Sequence, residues 1–188
     1  MGIVACISRP SGRSLARIWE QESSHLIGRA MEARERAQVH RPFRVGAAAL
    51  VETDTQLVII DGANRKVLPG YDPERRCAEM EIMSDALLIK AKRIVGFTVY
   101  APFQKDDATC LDCGVLLTCG HCRNDFRTLM DLGLLVTPDV FVASTNAETG
   151  LTLEFTVGEI LEMCGGPNDP AITTLPYNFS HLVGARDG

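Results

Sequence analysis

The chain has 188 residues, enough for one well-formed core and short for a second independent one, so a single domain over 1–188 is expected. With 46% hydrophobic and 23% charged residues it has an ordinary soluble composition, and no apolar run approaches the roughly 18 residues of a membrane span. A net charge of −5 and a pI near 5.4 argue against DNA or RNA as partner, because a phosphate backbone calls for a concentrated basic face.

The first apolar stretch, Met1 to Ile7, is too short for a secretory signal and lacks a basic lead-in, so a cytoplasmic location is expected. From Ser14 to Val39, Leu15, Ile18, Trp19, Leu26, Ile27, Ala30 and Met31 recur at helical spacing, and Arg41-Pro42 ends the helix. Phe43 to Val51 reads as a strand. Its Gly46-Ala47-Ala48-Ala49 run is small where another element or a ligand must come close. Glu52 to Thr55 forms a hairpin turn, and Gln56 to Asp61 returns as an antiparallel strand.

After a loop punctuated by Pro69-Gly70 and Asp72-Pro73, a helix is expected from Pro73 or Glu74 to Lys92, with Ala78, Ile82, Met83, Ala86, Leu87 and Ile89 on its apolar face. A strand covers Ile94 to Ala101. A further helix opens at Cys119 and runs to Leu132, with Gly133 as its C-cap. Two strands, Val140 to Ala143 and Leu151 to Thr156, and a short helix, Val157 to Met163, complete a core over 14–164, followed by a tail over 165–188. The order implies an α/β fold, a mixed sheet of about five strands with helices on its faces.

Seven cysteines is an odd count, and four fall in two Cys-x-x-Cys pairs, Cys110/Cys113 and Cys119/Cys122. Without a secretory signal this favours metal over disulfides, with Cys6 and Cys164 as buried thiols. Cys77 precedes Glu79 by two residues and Cys119-x-x-Cys122 by about forty. That pattern is a three-thiolate zinc site beside a carboxylate, as zinc deaminases use. Both motifs fall at predicted helix N-termini, where partial positive charge favours thiolates. A second arrangement, Cys110, Cys113, Cys119 and Cys122 as a structural zinc module, leaves Cys77 and Glu79 unexplained. His121, between two ligands, is expected to face solvent or support the site, and Glu81 to be a solvated helix carboxylate.

On these motifs, with Phe43-Arg44-Val45-Gly46-Ala47-Ala48 and Thr156-Val157-Gly158-Glu159-Ile160-Leu161, the chain resembles the cytidine deaminase family in its Cys-ligated form, which includes the blasticidin S deaminases. The resemblance implies a three-layer α/β/α fold, a zinc ion on Cys77, Cys119 and Cys122, and Glu79 as the group that carries a proton from water to the ring nitrogen and the leaving amine. It implies hydrolytic deamination of the 4-amino group of a cytosine nucleoside, with a purine base or nucleoside as the alternative, and a homotetramer whose tail, through Tyr177 and Phe179, closes a neighbouring site.

By the same resemblance Phe43 and Ala78 line the base pocket and Asn64 binds the ribose 3′-hydroxyl. Two positions depart from the family. Met80 stands where an Arg often follows the Glu, leaving Arg123 to offset thiolate charge. Lys66 stands where a Glu shares the ribose, which exchanges an acceptor for a donor and favours a more acidic, modified or antibiotic-type sugar.

Overall fold

Alternation along the third strand sorts the molecule into two cores. In β3 (Gly46–Glu52), Ala47, Ala49 and Val51 face one layer while Ala48 and Leu50 face the other, the period-two alternation of a sheet covered on both sides. The structure, a computed structural model, describes residues 3–7, 14–39, 41–68, 75–103 and 113–164. Its six-stranded sheet has the order β1-β4-β3-β6-β7-β8, from β1 (Ile3–Ile7), β3, β4 (Leu57–Ala63), β6 (Arg93–Ala101), β7 (Phe141–Asn146) and β8 (Thr152–Thr156). All neighbours are antiparallel except β6 and β7. A separate parallel pair joins β2 (Gln38–Val39) to β5 (Arg65–Lys66).

One face is covered by α1 (Leu15–Arg34), through Ile18, Trp19, Leu26 and Ala30. Trp19 stacks on Phe141 with ring centroids 5.6 Å apart. The other face carries α2 (Ala78–Leu88), α3 (Gly120–Asp131) and α4 (Val157–Cys164), through Ile82, Met83, Ala86, Phe126, Leu129 and Ile160. This is the expected three-layer arrangement, with one more strand than predicted. The extra strand is β1, whose Cys6 and Ile7 pair with Val58 and Leu57. Its five apolar residues carry no local sign of a pairing partner.

Other boundaries shift for identifiable reasons. Helix α1 stops at Arg34 rather than Val39, because Gln38 donates its N–H to the Asn64 carbonyl and Gln38–Val39 joins β5. Helix α2 starts at Ala78 rather than near Pro73 and ends at Leu88. Its C-terminus closes with Lys90 N–H to the Leu87 carbonyl and Ala91 N–H to the Ala86 carbonyl, with Lys90 at φ 55. The same two-bond closure ends α3 at Gly133, φ 63, where the expected glycine supplies the left-handed residue. Met31 points out of the core, and Cys6 is exposed and Cys164 half-buried, correcting the expectation of two buried thiols.

Two glycines set how close the helices come. A Cβ on Gly46 would lie 2.0 Å from the Ala30 carbonyl oxygen in α1, and one on Gly62 would lie 2.7 Å from the Ala78 carbonyl oxygen in α2. Helix α1 is also fastened by charge. The buried Asp61 carboxylate of β4 receives Arg29 at 2.7 Å and also pairs with Arg36.

Candidate active site

The first turn of α2 and the first turn of α3 meet, and both helices begin on a cysteine. Cys77 and Cys119 sit at the N-cap positions in extended backbone, and neither helix has a side-chain cap hydrogen bond there. Cys122 lies within the first turn of α3 and is buried. The three Sγ atoms fall within 4.8 Å of one another, with Cys77 to Cys119 at 3.4 Å and Cys119 to Cys122 at 3.6 Å. Those separations are too long for a disulfide. Three sulfurs each about 2.3 Å from one tetrahedral zinc would sit about 3.8 Å apart, so the donor set and spacing fit that metal.

The sulfurs share their protons unequally. Hydrogen bonds from Cys122 and Cys77 hold the Cys119 thiol well below the usual thiol range. The bonds to Cys119 push Cys77 and Cys122 well above it, with burial adding to both. Metal binding to such a cluster displaces protons, so affinity rises with pH.

Glu79 is the second residue of α2, and only 6% of it is exposed. Burial, reinforced by charge on Cys119, pushes its carboxyl up to about 8. It lines a cavity of about 360 Å³ together with Cys77, Ala78, Cys119, Phe43, Asn64 and Lys66. The predicted base-pocket and sugar-side residues are therefore gathered around one opening. Asn64 is already occupied, however. Its Oδ1 accepts from Val45 N–H at 2.8 Å and its Nδ2 donates to the Phe43 carbonyl at 2.9 Å. This side chain builds the cavity wall by bridging the backbone of residues 43–45.

Arg123 is buried, and its Nη1 donates to the Thr118 carbonyl at 2.7 Å, which fixes the residue before Cys119. Met80 packs against the core instead of offering a charge. His121 is half-buried and outside the sulfur cluster, as is Cys113, whose thiol reaches the Val115 carbonyl. Cys110 and the tail residues Tyr177 and Phe179 lie outside the described residues. Among the described residues, Cys119 and Cys122 thus group with Cys77 and not with Cys113.

Several supporting residues carried no signal in the sequence. Glu81 is half-buried rather than solvated, and its Oε2 accepts the Ala63 N–H at 2.7 Å, tying α2 to the end of β4. Ser144 donates to the Leu116 carbonyl and Asn146 to the Gly114 carbonyl, so β7 anchors the approach to Cys119. Only Asn146 had a local hint, because its Oδ1 also accepts from Glu148 and Thr149 N–H in the turn after the strand. Among the described residues no helix is long and apolar enough to cross a membrane.

Neither a protein-family model nor a curated protein matches the sequence. Solved structures do match. A cytidine deaminase from Burkholderia pseudomallei aligns with a TM-score of 0.55 at 26% identity, over 73% of this chain and 94% of that one. Cytidine deaminases from Mycobacterium tuberculosis and Mycobacterium leprae align at 22% and 23% identity with TM-scores of 0.52 and 0.50, over 77% and 74% of this chain and 98% and 96% of theirs. Over about three-quarters of its length this chain has the fold of these cytidine deaminases, which here sets α1 on one face of the sheet and the cysteine-bearing helices on the other.

Proposed function

We propose that the chain is a zinc-dependent aminohydrolase that removes the 4-amino group of a cytosine nucleoside. The observation that carries this is the placement of Glu79. A buried carboxyl two residues from Cys77 opens onto the same cavity as Cys77 and Cys119, next to three sulfurs spaced for one metal. The likeness to the Burkholderia pseudomallei cytidine deaminase supports the substrate class.

Cys77, Cys119 and Cys122 would hold a zinc ion, which would supply the Lewis acidity that makes water nucleophilic near neutral pH. Glu79 takes one proton from the attacking water and delivers it to the ring nitrogen, then takes the second from the new hydroxyl on the tetrahedral carbon and passes it to the amino group, which leaves as ammonia. Its burial keeps that proton away from bulk water. The N-termini of α2 and α3 and the guanidinium of Arg123 offset the surplus negative charge of three thiolates on a divalent ion. Phe43, Leu116 and Leu117 give the ring apolar walls, and Ala78 lets it approach the first turn of α2. Lys66 beside Asn64 supports a substituted sugar over plain ribose, since an ammonium donates and cannot accept.

The test is ammonia release from cytidine, deoxycytidine, sugar-modified cytosine nucleosides, adenosine, guanine and guanosine. Glu79→Gln should keep fold and metal and lower kcat by about 10² to 10⁴. Release from purines alone would overturn the cytosine assignment, and a Glu79→Gln rate within tenfold of wild type would remove Glu79 from the chemistry.

A further inference from the structure

The cavity that holds Glu79 at its floor has a rim of cations. Arg41, Arg65, Lys66, Arg75 and Arg76 all line it, and among the described residues Glu79 is the one acidic residue that does. The chain has 19 Lys and Arg against 24 Asp and Glu, whereas the described residues around this opening include five cations and one carboxylate. Floor and rim are distinguished by burial. Glu79, Ala78 and Leu117 are buried, whereas Arg41, Arg65, Arg75 and Arg76 are exposed.

The backbone fixes part of this arrangement. Arg65 and Arg76 exchange both backbone hydrogen bonds at 2.9 Å in an antiparallel bridge. Residues so paired stand opposite one another with their side chains on the same face, and like charges in that position are destabilising. Among the described residues no carboxylate forms an ion pair with Arg41, Arg75 or Arg76. Fork-shaped donors converging on one opening match an oxyanion with several acceptor atoms.

We propose that the substrate carries a phosphate group at the end away from the ring, so that the cytosine compound deaminated here is a nucleotide. This rests on the deaminase function proposed above and adds the chemical class of its substrate. A phosphate monoester presents three oxygens and close to two negative charges, which several guanidinium groups can share, whereas a carboxylate has two oxygens and one charge. With the reacting ring against Glu79, the rest of the molecule points to the rim, where Arg65 and Arg76 meet the phosphate and Lys66 adds a point charge.

Binding separates this from catalysis. Isothermal titration of zinc-loaded Glu79→Gln protein with cytidine, cytidine 5′-monophosphate and cytidine 5′-carboxylate, at low and at moderate salt, reads affinity without turnover. The nucleotide should bind at least tenfold tighter than cytidine, by a margin that shrinks as salt rises. Adding Arg65→Gln and Arg76→Gln should remove most of that margin, with a smaller change for cytidine, and Arg75→Gln provides a second variant should that pair fold poorly. Equal affinity for cytidine and the nucleotide, a carboxylate that binds as tightly as the phosphate, or a margin that survives the substitutions would each overturn the proposal. Deamination is judged apart, by ammonia release from the wild-type protein. Tight nucleotide binding without ammonia would sink the enzyme and leave the phosphate site standing, and ammonia from neutral nucleosides with no binding margin would do the reverse.

Discussion

Replacing Asn64 with Ala should cost far more than a sugar-binding role alone would predict. Its side chain makes two hydrogen bonds to the backbone of residues 43–45, at 2.8 and 2.9 Å, and Val45 is buried. Each of the two bonds is worth about 1 kcal/mol net, and leaving the buried Val45 N–H without an acceptor adds about 1–3 kcal/mol, so the loss is on the order of 3–5 kcal/mol. In a chain of this size each kcal/mol lowers Tm by about 2–4 °C, which gives a drop on the order of 6–20 °C. Because residues 43–45 form a wall of the cavity, KM should rise along with the loss of stability. Asn64→Asp keeps the acceptor for Val45 and loses the donor to Phe43, so it should melt between the other two. Thermal melts followed by circular dichroism, with steady-state kinetics on the same samples, make the comparison. An Asn64→Ala protein that melts within about 2 °C of wild type would refute the wall-building role.

Three further outcomes are expected. Metal analysis should find Cys77→Ala depleted of zinc and Cys113→Ala still loaded, and the opposite pattern would favour the four-cysteine module. Lys90→Gly should raise stability by about 1 kcal/mol in urea titrations, because Lys90 closes α2 at φ 55, where a Cβ is strained and glycine is not. A variant no more stable than wild type would count against strain at that position. Burial, helped by charge on Cys119, raises the Asp125 carboxyl from 3.8 to about 7. A raised carboxyl contributes most to stability below its unfolded pKa and loses that contribution as pH climbs through the folded value. Asp125→Asn should therefore melt higher than wild type at pH 8 and close to it near pH 4, and a gap that does not widen with pH would contradict this.

What could be read from the chain was what is local. Cys77-x-Glu79 and Cys119-x-x-Cys122 stand out by their fixed spacing, and the three sulfurs do come together, while the hairpin from β3 to β4 announces itself by a polar turn between β-branched runs. The early end of α1 could not be read, because Gln38–Val39 is removed from the helical pattern by a partner 27 residues away, and no breaker precedes Pro42. Strand β1 was hidden for a similar reason, since five apolar residues near an end say nothing about pairing with β4. Glu81 looks like any helix carboxylate until Ala63 is seen above it. The cationic rim is the clearest case. Arg41, Arg65 and Arg76 look like scattered surface charges in the sequence, and only the β2–β5 pair and the Arg65–Arg76 bridge bring them to one opening.

The helices that begin on Cys77 and Cys119 are joined by a span of 42 residues containing β6, which lies in the middle of the sheet. A cation that grips both cysteines is therefore a cross-link as well as a reagent. By the chain-entropy estimate for a closed loop of that length, such a link removes about 4 kcal/mol of freedom from the unfolded chain. It also occupies two helix starts that lack the usual hydroxyl or carboxylate cap. With a metal bound there, chelation should loosen the two helices and the strand between them together, so that a melt followed with and without chelator would show loss of metal and loss of tertiary order as one event.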